Sequence, residues 1–197
     1  MNQLLPVFVL IPFLGFLVSL LIPAKKENTI AWTVFLTMGL HTFLVFAFTV
    51  FWLLNQRETQ HTQGIPLFAS EHYTFNFILM FDKVTAAYLL TGAYLILLVT
   101  IYSSYYLHRE EGYKRYFNTI LFFYIGYNIA ILSDNFETLF MGWEILGIAS
   151  FLLIAFYRNR YLPVKNAVKI FSIYRIGDVG LLLALWMSHH LWQESIT

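Results

Sequence analysis

The 197-residue chain contains no cysteine, which excludes disulfides and thiolate-held iron–sulfur clusters within it. Charge is also scarce. Asp, Glu, Lys and Arg make up 12% of the residues, against about 25% in soluble domains, while 59% are hydrophobic. So little charge cannot cover a water-facing surface, and the composition is that of an integral membrane protein. A net charge of +1 supplies no field that would recruit nucleic acid. Neither G-x-G-x-x-G nor G-x-x-x-x-G-K-[ST] occurs, so no phosphate cradle, and no resident cofactor or metal, is expected in this chain. No internal repeat or low-complexity tract is visible.

What the chain has in quantity is apolar runs, and about 20 apolar residues cross a bilayer core as a helix. Six runs qualify: Leu4–Pro23, Thr29–Leu54, Val84–Tyr106, Tyr116–Leu132, Phe136–Phe156 and Asn166–Trp186. The first lacks a basic segment ahead of it, and Lys25 and Lys26 follow it, so it reads as a retained span rather than a signal peptide. Eight basic residues (Lys25, Lys26, Arg109, Lys114, Arg115, Arg158, Arg160, Lys165) fall after spans one, three and five, against Arg57 and Lys83 on the other side. That bias puts the odd loops in the cytoplasm and the N-terminus outside. Tyr102, Tyr105, Tyr106, Tyr113 and Tyr116 gather at the inner boundary as an aromatic belt. Between spans two and three lies a 55–83 segment, in which extended runs flank Ala69–His72 and predict a small β-hairpin on the outer face. The expected architecture is an all-α membrane protein of about six helices: residues 1–54 form the first two, 55–83 the outer segment and 84–197 four more.

Two spans break the apolar rule. Glu144 stands in span five, within LFMGWEILGIASFLL, and Lys169, Arg175 and Asp178 stand in span six. An ionisable group at the bilayer centre costs at least about 2.5–3.5 kcal/mol, so four such groups must pair or line a polar path. Glu144 lies 8 residues past Phe136 and Asp178 12 past Asn166. At about 1.5 Å per residue, both carboxylates fall roughly 12 Å from the outer edge of a core about 30 Å thick. Arg175 and Asp178, three apart, share one helix face. Gly142 and Gly147 flank Glu144 and would permit close helix approach. Two readings follow. In one these groups form a proton path, because a carboxylate beside a mobile cation holds or releases a proton as that cation moves. In the other they are an interhelical ion pair that fixes packing. Lys169 lies near the inner edge and can snorkel. His41, alone in mid-span, is either a hydrogen-bonded packing residue or a proton relay. Asp134 is placed to cap span five.

The run LSDNFETLFMGWEILGIASFLLIAF, followed by NAVKIFSIYRIGDVG, resembles the large antiporter-like membrane subunit of complex I, subunit L in bacteria and subunit 5 in mitochondria. YSSYYLHREEGYKRYF and FDKVTA resemble the same family, and the resemblance covers nearly the whole chain. The G-W-E and R-[IV]-G-D motifs are shared with Mrp-type cation/proton antiporters and with the membrane partner of a proton-driven inorganic-carbon (bicarbonate) uptake system. The resemblance implies a proton-translocating, non-redox subunit of a respiratory NADH:quinone oxidoreductase in the cell (inner) membrane. Its implied partners are the lipid bilayer and other membrane subunits. It implies that Glu144 is the acid paired with a lysine on a later broken helix, with Asp178 and Arg175 as supporting charges and Lys169 as a basic position at the start of the same helix. Family members are far longer, so the partner lysine is expected in sequence beyond Thr197, supplied by a continuation of this chain or by a split gene.

Overall fold

In a bilayer every backbone N–H and C=O must be satisfied within the protein, and a helix does this without help from a neighbour. The computed structural model, which describes residues 4–55, 58–69 and 74–192, accordingly contains six helices: α1 (Leu5–Leu21), α2 (Glu27–Leu54), α3 (Lys83–Tyr106), α4 (Tyr113–Leu132), α5 (Phe136–Ile154) and α6 (Tyr161–Trp192). Four of them, α2, α3, α5 and α6, are long and apolar enough to cross a membrane, and α1 is a shorter apolar helix of 17 residues. The chain is a multi-pass, all-α membrane protein. Several hydroxyls inside the helices bond back to their own backbone, as Thr33 does to the Thr29 carbonyl and Thr49 to that of Val45, so those polar atoms need no water.

Expected and observed ends agree closely except for α6, which starts five residues before Asn166 and runs six beyond Trp186. Pro163 does not delay its start, because a proline in the first turn removes only an N–H that has no intrahelical partner. Helix α4, interrupted by Asn118 and Asn128, is not among the four helices long and apolar enough to cross a membrane, and its position explains why. It lies at the centre, packed on α1, α2, α3 and α5, and eleven of its residues are buried, including Asn128. A helix screened from lipid can carry amides and hydroxyls that an outer one cannot. Helix α6 sits at the edge and packs along α5.

The approach of α4 to α5 depends on small residues. Gly142 lies against the backbone of Ala130, and Gly126 against Ile145 and the Leu146 amide, as two antiparallel helices in close contact require. Gly147 does not contribute, since a methyl group there would meet open space. Gly142→Ala would force a methyl into the Ala130 backbone, which cannot swing aside. We expect a loss of about 1–3 kcal/mol in a detergent unfolding titration, with Gly147→Ala near neutral.

The segment between α2 and α3 forms two short antiparallel pairs. Strand β1 (Gln60–His61) pairs with β4 (Met80–Phe81), and β2 (Ile65–Ala69) with β3 (Thr74–Phe77) in the register Ile65↔Phe77, with a bulge between Pro66 and Phe68. The β2–β3 pairing is the anticipated hairpin; residues 70–73 at its tip lie outside the described residues. Buried Phe81 anchors the segment by packing edge-on against Phe48 and Trp52, 4.9 and 5.3 Å away. On the other flank the Asn135 amide donates to the Asn76 carbonyl and the Asp134 amide to that of Ile78. The cap of α5 is therefore Asn135, whose side chain accepts from the Thr138 amide; Asp134 instead bonds His61 Nδ1 at 2.8 Å.

Candidate functional site

Glu144 reaches α6 from the third turn of α5, just past the point where Gly142 brings α5 onto α4. On α6, Arg175 and Asp178 are one turn apart on the face that meets α5. The three side chains converge. Arg175 Nη1 donates to Glu144 Oε1 and Oε2 at 2.8 and 2.6 Å, and lies 3.4 Å from Asp178 Oδ2. Trp143, one residue before Glu144, donates its indole N–H to Asp178 Oδ1 at 3.0 Å. The two acids thus come together from neighbouring helices, and a single nitrogen touches both.

Two features of this geometry govern its chemistry. First, the contact is not a two-nitrogen fork onto one carboxylate. Nη1 alone makes all three contacts, close to Glu144 and looser to Asp178. Second, two carboxylates and one guanidinium leave the ionised cluster at −1, and one added proton brings it to zero. Side-chain exposure is 44% for Arg175, 21% for Glu144 and 10% for Asp178. Asp178 is thus the enclosed acid, with a fixed indole donor, and Glu144 the more open one. The Arg175 guanidinium also rests over the Phe171 ring, 4.9 Å from its centre, and Phe171 in turn packs on Phe151 of α5 at 5.2 Å. An aromatic face stabilises the cation without fixing its direction.

The interhelical ion pair of the packing reading is Arg175 with Glu144, whereas Trp143 as a partner of Asp178 has no counterpart in the sequence reading. The i, i+3 spacing gave the Arg175–Asp178 contact, which is the longer of the two. The Trp143 signal is present in sequence: an indole is donor-only, and one beside an intramembrane acid needs an acceptor. Lys169 is exposed, six residues before Arg175, so it lies about 9 Å along the axis and outside the cluster.

His41 occupies a separate site. Pro12 stands inside α1 and has no N–H, so the carbonyl of Phe8, four residues earlier, loses its intrahelical donor. His41 Nε2 lies 3.0 Å from that carbonyl, and Nδ1 lies 2.9 Å from the Tyr124 hydroxyl. A carbonyl only accepts, so Nε2 carries the proton, Nδ1 accepts from Tyr124, and the ring is the neutral tautomer with both nitrogens satisfied. His41 is fully buried and ties α2 to α1 and α4.

Residues 67–117 match the family described as NADH-ubiquinone oxidoreductase (complex I), chain 5 N-terminus. Residues 133–194, which hold the whole charged cluster, match the family described as NADH:quinone oxidoreductase/Mrp antiporter, TM. NADH-quinone oxidoreductase subunit L of Neisseria meningitidis serogroup A is 32% identical over 182 residues, covering 91% of this chain and 27% of that protein. Subunit L of Escherichia coli is 28% identical over 192 residues, 95% of this chain and 31% of that protein. Among solved structures, the Mrp complex from a Dietzia species superimposes with a TM-score of 0.79 at 18% identity, over 98% of this chain and 20% of that one, a likeness of fold. The chain thus spans between a quarter and a third of the length of these two curated relatives. It belongs to the antiporter-like membrane-subunit family of complex I, in which it matches the N-terminal region of subunit L, or chain 5.

Proposed function

We propose that the chain is part of a proton-translocating membrane subunit of a complex I-like NADH:quinone oxidoreductase, in the inner cell membrane and assembled with other membrane subunits. The observation that carries this reading is one guanidinium nitrogen shared by carboxylates from two membrane helices. With Arg175 on Glu144, neither acid needs a proton. When Arg175 turns toward Asp178, Glu144 loses its cation and takes up a proton; when Arg175 returns, the proton leaves. Trp143 holds Asp178 in place for the exchange. Lys169, between the basic loops and the cluster, stands where a proton arriving from that side would pass. The chain itself performs no electron transfer; the energy comes from redox chemistry elsewhere in the assembly and reaches this site as a bias on the position of Arg175.

The test is proton movement in sealed vesicles containing the assembled complex, driven by NADH and quinone. A pH gradient that forms without Na⁺ is expected. A gradient that needs Na⁺ and is indifferent to NADH would assign the site to cation/proton exchange instead. Arg175→Lys supplies a finer test. A lysine ammonium keeps the charge but lacks the guanidinium's reach and planar spread of donors. Pumping is expected to fall several-fold with complex assembly intact, and wild-type pumping by Arg175→Lys would overturn the partner exchange.

A further inference from the structure

We infer that the cleft between α1 and α4, at the end of the bundle that carries the basic loops, binds one phosphatidylethanolamine molecule. The cleft has a volume of about 610 Å³. Its lining includes Leu20, Leu152 and the rings of Phe16 and Phe122, 5.8 Å apart, with Asn118 and Thr119 among them. Its mouth is charged, with Lys114 and Arg115 at the start of α4 and with Glu27 and Glu110. A phospholipid has the same division. Basic pockets between membrane helices on this side bind lipid headgroups.

The hydrogen bonds at the mouth indicate where the phosphate sits. Among the described residues Lys114 Nζ donates to the Leu20 carbonyl at 2.9 Å and Arg115 Nη2 to the Phe156 carbonyl at 2.7 Å, and neither atom has a second acceptor. Among the described residues neither cation has a carboxylate within ion-pair distance. Arg115 Nε is buried with no acceptor at all. A lysine ammonium has three donors and a guanidinium five, so most remain available to phosphate oxygens. Arg115 Nε, shut off from solvent, is not among the donors a ligand in the cleft can reach.

The carboxylates select the headgroup. Besides Lys114 and Arg115 the mouth holds two acids, and a zwitterionic headgroup offers a group of each sign. Glu27 is already engaged by His108 Nδ1 and by the Arg109 amide, at 3.1 and 3.2 Å. Glu110 is exposed beside the cleft and able to accept from an ammonium group. A primary ammonium two carbons from the phosphate meets that need. The trimethylammonium of phosphatidylcholine has no N–H to give, and phosphatidylglycerol has no cation.

Native mass spectrometry on the solubilised chain, with whatever subunits it retains, tests this with the three lipids carrying identical acyl chains. Wild type is expected to retain one phosphatidylethanolamine in preference to the other two. Lys114→Gln is expected to weaken that adduct about tenfold, the loss of one charge-assisted hydrogen bond. Glu110→Gln, at an exposed side chain whose change leaves the fold alone, is expected to lower phosphatidylethanolamine to the level of phosphatidylcholine. Lys165→Gln, a cation lying over Tyr161 away from the cleft, is expected to behave as wild type. Equal retention of the three lipids, no change in either cleft variant, or an equal loss in Lys165→Gln would overturn the assignment.

Discussion

Glu144→Gln is expected to abolish most coupled proton movement, by roughly tenfold or more, the scale on which removing a proton-transfer group acts. The substitution is close to isosteric. A glutamine oxygen still accepts from Arg175, so α5 and α6 stay in register, but the side chain no longer carries an exchangeable proton. Asp178→Asn is expected to do less, because Arg175 is bound more closely to Glu144 and lies 3.4 Å from Asp178. The measurement is NADH-driven acidification of vesicles, normalised to the amount of assembled complex. That normalisation separates the two roles left open by the sequence. If the charges only fix packing, Glu144→Gln lowers the yield of complex and leaves the rate per complex unchanged. Unchanged pumping per complex would therefore remove the proton-transfer role and leave the ion pair as a clasp between helices.

The large features of this architecture are legible in the sequence because lipid imposes simple rules. A membrane helix must be long and apolar, and it places a charge at a depth fixed by its rise per residue. That is why the spacing of Glu144 and Asp178 along their helices brings them near one level, and why the hairpin stands out between two apolar runs. What could not be read is which way a side chain turns about the helix axis. Rotation decides that Arg175 reaches across to Glu144 rather than along its own helix alone, and that Trp143 meets Asp178. It also decides that Gly142 faces α4 while Gly147 faces open space. End effects were equally hidden: Asp134 and Asn135 both suit an N-cap, and the choice fell to Asn135 because Asp134 is drawn to His61 across the loop. At the membrane boundary Lys114 and Arg115 read as two of eight positive-inside charges, and nothing in their spacing announces that both lack an acidic partner among the described residues.

His41→Phe is expected to be the most destabilising single change in the α1–α2–α4 contact. Phenylalanine fits the aromatic setting, where Phe8 and Tyr124 lie edge-on to the ring at 5.8 and 5.0 Å, but it gives neither hydrogen bond. The Phe8 carbonyl and the Tyr124 hydroxyl would both be left unpaired in buried positions, at about 1–3 kcal/mol each. Hydrogen bonds between membrane helices often measure at the low end, so a total of roughly 2–4 kcal/mol is the expectation, read from unfolding in a denaturing-detergent titration. The cause can be isolated. Pro12→Ala restores the intrahelical N–H to the Phe8 carbonyl, so that carbonyl no longer depends on His41. In a double-mutant cycle the cost of His41→Phe should then be smaller in the Pro12→Ala background by about 1 kcal/mol or more, whereas independent sites would add. Additivity would sever the link between the proline and the histidine. The same variant decides between packing and proton relay: a neutral ring with both nitrogens committed leaves pumping per assembled complex unchanged when it is replaced, and a relay does not. An assembled but silent His41→Phe complex would show that protons pass through this ring, and the Tyr124 hydroxyl 2.9 Å from Nδ1 would be the next group on their route.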